Sequence, residues 1–181
     1  GNDPHAVSCV RVWHTAGHSR GALVGSLSES GNACTSRPAD PPGTDRIHGL
    51  GTRDGFGGLT GIARPCERTG LATSREWTRA TFPKGPGWHK GENYNTSIGK
   101  GFTMVTPVKM AVYVSSLLNG GKIMKPLVVD SDEKVVSAMG PSTGKERKLM
   151  VEAMRQRVYD GWGAAKGIVR TDAGRGGKTG T

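Results

Sequence analysis

The chain has 181 residues, of which 34% are apolar, with 29 glycines, 10 prolines and a formal net charge of +10. That length suits one domain rather than two, and the low apolar fraction excludes a large self-contained core. No stretch reaches the roughly 18 apolar residues of a membrane span, and Cys9, Cys34 and Cys66 are too irregularly spaced for a disulfide framework.

A sequence pI near 9.9 implies an anionic partner or surface. Arg64, Arg68, Arg75, Arg79, Lys84 and Lys90 form the densest basic stretch, punctuated by Trp77, Phe82 and Trp88. No nucleic-acid motif accompanies it. A solvated basic face accounts for it, and an anionic envelope polymer suits the charge as well as nucleic acid does. Cys9, His14 and His18 lie close in sequence, but no second ligand pair follows. The expectation is therefore no metal site. The chain opens on Gly1 without a signal peptide, so its native start and targeting segment are expected outside it.

In chain order, residues 1–60 read as largely irregular. Residues 22–30 suit a short helix with Leu23 and Leu27 on one face. Pro38, Pro41 and Pro42 exclude a helix that continues through them. Thr44 is placed to cap a helical turn through Arg46, Ile47 and Leu50, and the glycines at 49, 51, 55, 57, 58 and 61 then break regular structure. Thr73 and Glu76 make a capping box, predicting a short helix over 73–80. Residues 82–101 read as loop, with Pro83, Pro86 and five glycines. Thr106 and Pro107 then open the clearest helix. Apolar residues occupy most of its circumference, predicting burial, and Asn119, Gly120 and Gly121 end it. Residues 123–129 read as extended. A second helix over 144–160 has Thr143 and Glu146 as its capping box, with Leu149, Met150, Ala153, Met154 and Val158 at helical spacing. Its charged face is expected at the surface. Glycine-rich sequence leads to Lys178-Thr179-Gly180-Thr181, which reads as the start of a strand.

A Lys-Thr-Gly triplet is weak evidence alone, but its chemistry is specific. Lys178 would place a positive charge beside a substrate carboxylate, and Thr179 would offer that group a hydroxyl. Gly180 would let a substrate backbone lie close, and the Thr181 N–H could help stabilise an oxyanion. Serine acyl-transfer enzymes combine Ser-x-x-Lys, Ser-x-Asn and Lys-Thr-Gly. The single Ser-x-Asn match is Ser30-Gly31-Asn32, upstream of Lys178 as required. Taken alone, Ser30 and Asn32 read equally as turn residues around Gly31.

Longer motifs weigh against chance. They are Phe56-Gly57-Gly58-Leu59-Thr60-Gly61-Ile62, Glu67-Arg68-Thr69-Gly70-Leu71, Arg75-Glu76-Trp77, Ile98-Gly99-Lys100-Gly101, Thr106-Pro107 and Leu118-Asn119-Gly120-Gly121-Lys122. In order and spacing they resemble the elongation-type class B penicillin-binding proteins. The stretch from Trp13 through Ser30 is similar to that family's approach to Ser-x-Asn, and helix 144–160 to the helix before its Lys-Thr-Gly strand. There are departures. The proline-rich stretch from Cys34 to Thr44 replaces an apolar helix, which frame damage or sequence error would explain. Cys66 stands where the family usually has glycine, and Lys100 where it usually has glutamine.

The resemblance implies an α/β fold of the β-lactamase/transpeptidase type, an antiparallel sheet flanked by helices, here truncated at both ends. Residues 1–181 would be one partial transpeptidase domain, from before Ser-x-Asn to Lys-Thr-Gly-Thr. A sheet without its later strands would expose unpaired edges. The implied activity is D,D-transpeptidation of peptidoglycan stem peptides ending in D-Ala-D-Ala, through a serine acyl-enzyme that β-lactams trap. Ser30 would relay a proton, Asn32 and Thr179 position substrate, and Lys178 recognise its carboxylate, with no cofactor. No Ser-x-x-Lys precedes Ser30; Ser97–Lys100, Ser131–Lys134 and Ser142–Lys145 match the pattern in the wrong order and read as turn or cap residues. The nucleophile is expected outside this chain, and the chain alone is expected to be inactive. The implied partner is a membrane glycosyltransferase of the elongation machinery, not nucleic acid, and the implied location is the periplasmic side of the inner membrane. A non-catalytic relic, a β-lactam sensor or hydrolase on the same fold, and a basic binding module remain the alternatives.

Overall fold

The structure, a computed structural model, describes residues 43–129, 136–139, 144–159 and 176–178. The predicted helix over 22–30 and the stretch from Cys34 to Pro42 lie outside these residues. Five helices and a two-stranded antiparallel pair organise the described part.

Helix α1 (Gly43–Arg53) runs through Gly49 and Gly51, where breaks were expected. Each such glycine costs roughly 1 kcal/mol relative to alanine in a helix. At Gly51 the Phe56 ring lies close, 3.4 Å from where a Cβ would stand, whereas nothing lies within 4 Å of such a Cβ on Gly49. Asp45 in the first turn and Arg53 in the last also complement the helix dipole.

Helix α2 (Arg75–Thr81) begins one residue later than its capping box predicts. Ser74 is the N-cap and accepts from the Trp77 N–H at 3.0 Å. Thr73 is buried, and its hydroxyl is engaged with that of Thr103 at 2.7 Å, so it does not cap the helix. Helix α3 (Lys90–Ser97) occupies a stretch predicted as loop. Its sequence carries no apolar periodicity. Its buried anchor is instead Asn93, whose side-chain oxygen accepts from the Trp88 indole N–H at 2.7 Å. Helices α1 and α3 pack together.

Helix α4 (Pro107–Leu118) has the predicted ends. The Thr106 hydroxyl accepts from the Lys109 N–H at 3.2 Å. At the other end Gly120 adopts φ +85° and the Gly121 N–H reaches Ser116 O at 2.8 Å, closing a Schellman turn. Burial differs from expectation. Leu118 is 71% exposed and Met110 44%, whereas Lys109, Ser116 and Leu117 are buried. The reason is that neighbouring elements cover the face that carries these residues, and its polar groups find hydrogen-bond partners there. Lys109 Nζ donates to Leu59 O at 3.1 Å, the Ser116 hydroxyl to Tyr113 O at 2.7 Å, and the Tyr113 ring meets Phe56 at 5.1 Å.

Strand β1 (Lys122–Met124) is shorter than the extended run predicted from 123 to 129. It pairs antiparallel with β2 (Val136–Met139) through Ile123↔Ala138, with an irregularity after Ile123. Helix α5 (Gly144–Tyr159) matches prediction closely in extent, and both β1 and α5 pack on α4. Thr143 lies outside the described residues. Arg157, expected on the solvated charged face of α5, is 1% exposed. Ala153 and Val158 are buried as well, and the chain returning at 176–178 runs against Met154 and Val158.

The segment between α1 and α2 is held by side-chain chemistry rather than by a sheet. The Glu67 carboxylate accepts from the Thr60 hydroxyl, the Thr60 N–H and, at 3.1 Å, the Gly61 N–H. Leu71 and Met104 exchange two backbone hydrogen bonds of 2.7 and 2.9 Å. Gly70 permits that approach, since a Cβ there would stand 2.5 Å from Met104 O. Cys66, exposed, has φ +64°. A side chain is disfavoured in that left-handed region, which explains why the resemblance places glycine at this position.

Two outcomes follow for stability. Cys66→Gly should stabilise the chain by about 1 kcal/mol, since removing the Cβ relieves the left-handed residue. A thermal melt should rise by roughly 2–4 °C. Glu67 is held below its ordinary value of 4.5, first by the Thr60 hydroxyl. A carboxylate with a lowered folded pKa contributes stability above its unfolded pKa and loses it as pH falls through the folded pKa. Denaturant melts should therefore show stability falling as pH drops below about 4.5, and Glu67→Gln should flatten that acid limb.

Candidate functional site

Of the residues that sequence reasoning places in the site, Lys178 is described. Ser30, Asn32, Thr179, Gly180 and Thr181 lie outside the described residues, as do Cys9, His14 and His18. Ser97, the first of the serines that match Ser-x-x-Lys out of order, donates its hydroxyl to Tyr94 O at 2.7 Å at the end of α3. Ser131, Lys134 and Ser142 are not among the described residues.

Lys178 reaches its position along α5. The Gly177 N–H donates to Met154 O at 2.9 Å. A Cβ on Gly176 would sit 3.2 Å from Met154 atoms, and one on Gly177 3.8 Å from Val158. The two glycines let this backbone run in near contact with the helix, and Lys178 follows directly. Its side chain is exposed.

Beside it is Arg157, a second cation. Desolvation by the protein packed beside it, and then the Arg157 guanidinium, push the Lys178 ammonium below the ordinary lysine range even though the residue remains exposed. Burial likewise lowers Arg157, but a guanidinium stays protonated under ordinary conditions. Two like charges at the head of the Lys178–Thr181 segment create a positive potential suited to a carboxylate. Lysine alone supplies a point charge; a buried neighbouring cation strengthens the field where screening by water is weak.

Sequence reasoning missed Arg157 because it read α5 as a helix with a solvated charged face, where one more arginine carries no signal. Lys109 was also missed, although a lone lysine amid Val108, Met110, Ala111 and Val112 is a detectable anomaly. Burial pushes its ammonium down, and the Glu67 charge opposes that shift.

The family described as penicillin binding protein transpeptidase domain matches residues 2–181. Peptidoglycan D,D-transpeptidase MrdA of Salmonella typhimurium is 31% identical over 134 residues, covering 73% of this chain and 21% of that protein. MrdA of Haemophilus influenzae is 28% identical over 173 residues, covering 92% and 26% respectively. Among solved structures, PBP2 from Helicobacter pylori aligns with a TM-score of 0.75 at 20% identity, covering 88% of this chain and 31% of its own. Pseudomonas aeruginosa PBP2, solved in complex with WCK 5153, aligns with a TM-score of 0.72 at 26% identity, covering 83% and 34%. The chain thus spans about a fifth to a quarter of the length of these curated relatives.

The coupling between Arg157 and Lys178 is measurable directly. Arg157→Met should raise the Lys178 pKa, because it removes the second of the two causes that lower it. Titrating the lysine side-chain signals by NMR checks this; an unchanged Lys178 midpoint would show that the two cations do not interact.

Proposed function

The chain belongs to the penicillin-binding protein transpeptidase domain family, and from that premise we propose that it is part of an elongation-type peptidoglycan D,D-transpeptidase. Its fold is the β-lactamase/transpeptidase type, here rich in helix with one short strand pair among the described residues. On this reading residues 1–181 are one partial domain, running from before Ser30-Gly31-Asn32 to Lys178-Thr179-Gly180-Thr181.

The proposed reaction has two steps. A serine Oγ, supplied by the parent protein outside these residues, attacks the carbonyl carbon of the D-Ala-D-Ala amide. The C–N bond breaks, the departing nitrogen takes a proton and D-alanine leaves. An amine of a second stem peptide then attacks the ester carbonyl. The ester C–O bond breaks, the serine regains its proton and a cross-linking amide remains. Splitting the transfer through a covalent ester replaces one difficult step with two easier ones. β-Lactams imitate the donor and stop at the ester.

In this scheme Ser30 relays the proton to the leaving nitrogen, and the Asn32 amide holds the donor backbone. Lys178 and the Thr179 hydroxyl take the terminal carboxylate. Gly180 admits the substrate backbone, and the Thr181 N–H faces the developing oxyanion. The chemistry needs no cofactor. The observation that carries the reading is the presentation of Lys178: exposed, delivered by Gly176 and Gly177 along α5, and backed by buried Arg157.

Partners and location are proposed on the same basis. A PBP2 of Helicobacter pylori has been solved with MreC, and another structural neighbour comes from a peptidoglycan synthase complex, with a TM-score of 0.67. These support a parent acting on the periplasmic side of the inner membrane beside a membrane glycosyltransferase.

The test is acylation of the full-length parent by a labelled penicillin. Lys178→Ala should slow acylation by about tenfold to a hundredfold, the equivalent of the roughly 1.5–3 kcal/mol of a hydrogen bond to a charged group. Lys178→Arg should recover part of the loss. Acylation at the unaltered rate in Lys178→Ala would overturn the assignment.

A further inference from the structure

The densest basic stretch of the sequence takes no part in the chemistry proposed above, yet half of it, Arg75, Arg79 and Lys90, lines a cavity. That cavity, of about 590 Å³, lies between α2 and the start of α3. Arg75, Arg79, His89 and Lys90 line it, together with the rings of Phe82 and Trp88, and no Asp or Glu is among its lining residues. Its volume falls within the range of small-ligand sites.

The walls are built rather than incidental. Phe82 packs against Trp77 at 6.0 Å and Phe102 at 5.5 Å, which fixes one side. Trp88 is fixed by its indole N–H bond to buried Asn93. Arg75 is held by Asp45 at 3.5 Å, and Asp45 does not itself line the cavity. His89, the residue before α3, makes no side-chain cap, and Glu92 in the first turn balances part of the positive end of that helix, so the field in the cavity comes chiefly from Arg75, Arg79 and Lys90.

We propose that this cleft binds a carboxylate-bearing stem peptide of a peptidoglycan strand; the choice of ligand rests on the transpeptidase reading. Arginine presents a planar fork that matches a carboxylate with two parallel hydrogen bonds. Arg79 and Lys90, together with Arg75 whose charge is shared with Asp45, suit a peptide that carries more than one carboxylate. The fixed faces of Trp88 and Phe82 give its apolar side chains a surface to cover. Nucleic acid fits less well, because it asks for cations in a row that tracks successive phosphates, and here they gather around one open concavity.

The experiment uses the full 181-residue chain and a soluble disaccharide-tetrapeptide as probe, followed by the indole N–H signal of Trp88. A saturable shift of that signal is expected. Arg79→Glu, at an exposed position, should weaken binding at least tenfold. Arg75→Ala should do the same; Arg75→Lys, which keeps the charge facing Asp45, guards against a simple loss of folding and should weaken it less. A tetrapeptide with every carboxylate amidated should bind at least tenfold more weakly than the acid form. Equal binding by Arg79→Glu, equal binding of the amidated peptide, a Trp88 signal that does not move, or displacement of the probe by lower concentrations of a single-stranded oligonucleotide would each overturn the proposal. Penicillin acylation of the unaltered parent is scored separately. If acylation occurs while Trp88 stays silent, the cleft assignment falls alone; if Trp88 responds but the parent is not acylated, the cleft stands and the transpeptidase reading falls.

Discussion

The described part of the molecule depends on one carboxylate. Glu67 gathers the Thr60 N–H, the Thr60 hydroxyl and the Gly61 N–H onto its two oxygens. These donors belong to a glycine-rich turn with no strand partner, and without the carboxylate they would compete for water. Lys109 completes the arrangement from α4. Its ammonium donates to Leu59 O, one residue before Thr60, and feels the Glu67 charge. Lys109 is only 4% exposed, so its stem adds packing while its head is spent on this turn. Removing the carboxylate would leave three backbone and hydroxyl donors of the turn without the acceptor they converge on, and the Lys109 ammonium without that opposing charge.

From that junction the support runs outward. Helix α4 is fixed to the turn by Lys109 and by the Phe56–Tyr113 contact, and it carries β1 and α5 on its other contacts. Helix α5 in turn carries the backbone at Gly176 and Gly177, which delivers Lys178. A residue far from Lys178 in sequence therefore helps set where its charge stands. Arg157 belongs to the same chain of support, since it is a buried residue of α5 whose charge acts on Lys178.

The excess of positive charge also acquires a location. In the sequence it is diffuse, and a solvated basic face accounts for it. In the fold, Arg75 and Arg79 from α2 meet His89 and Lys90 at the head of α3. Aromatic residues interleaved with them become the walls: Trp77, Phe82 and Phe102 form one cluster, and Trp88 is tied to Asn93. Charge that the sequence spreads along the chain is thereby gathered around one concavity.

Local chemistry made several features legible from the sequence alone. Thr106 and Pro107 start α4, and Asn119, Gly120 and Gly121 end it, because caps are decided by neighbours a few residues away. The apolar spacing of α5 set its extent for the same reason, and the motif series identified the family whose model spans residues 2–181. Other features were decided by contacts between distant residues. Phe56 donates its N–H to Gly51 O just past the end of α1, Ser74 caps α2 while Thr73 is engaged with Thr103, and α3 forms around a polar anchor that no periodicity reveals. Burial was the least legible property. Lys109 and Arg157 lie inside while Leu118 lies outside, because burial follows which face the neighbouring elements cover, and a helix's own sequence does not contain that information.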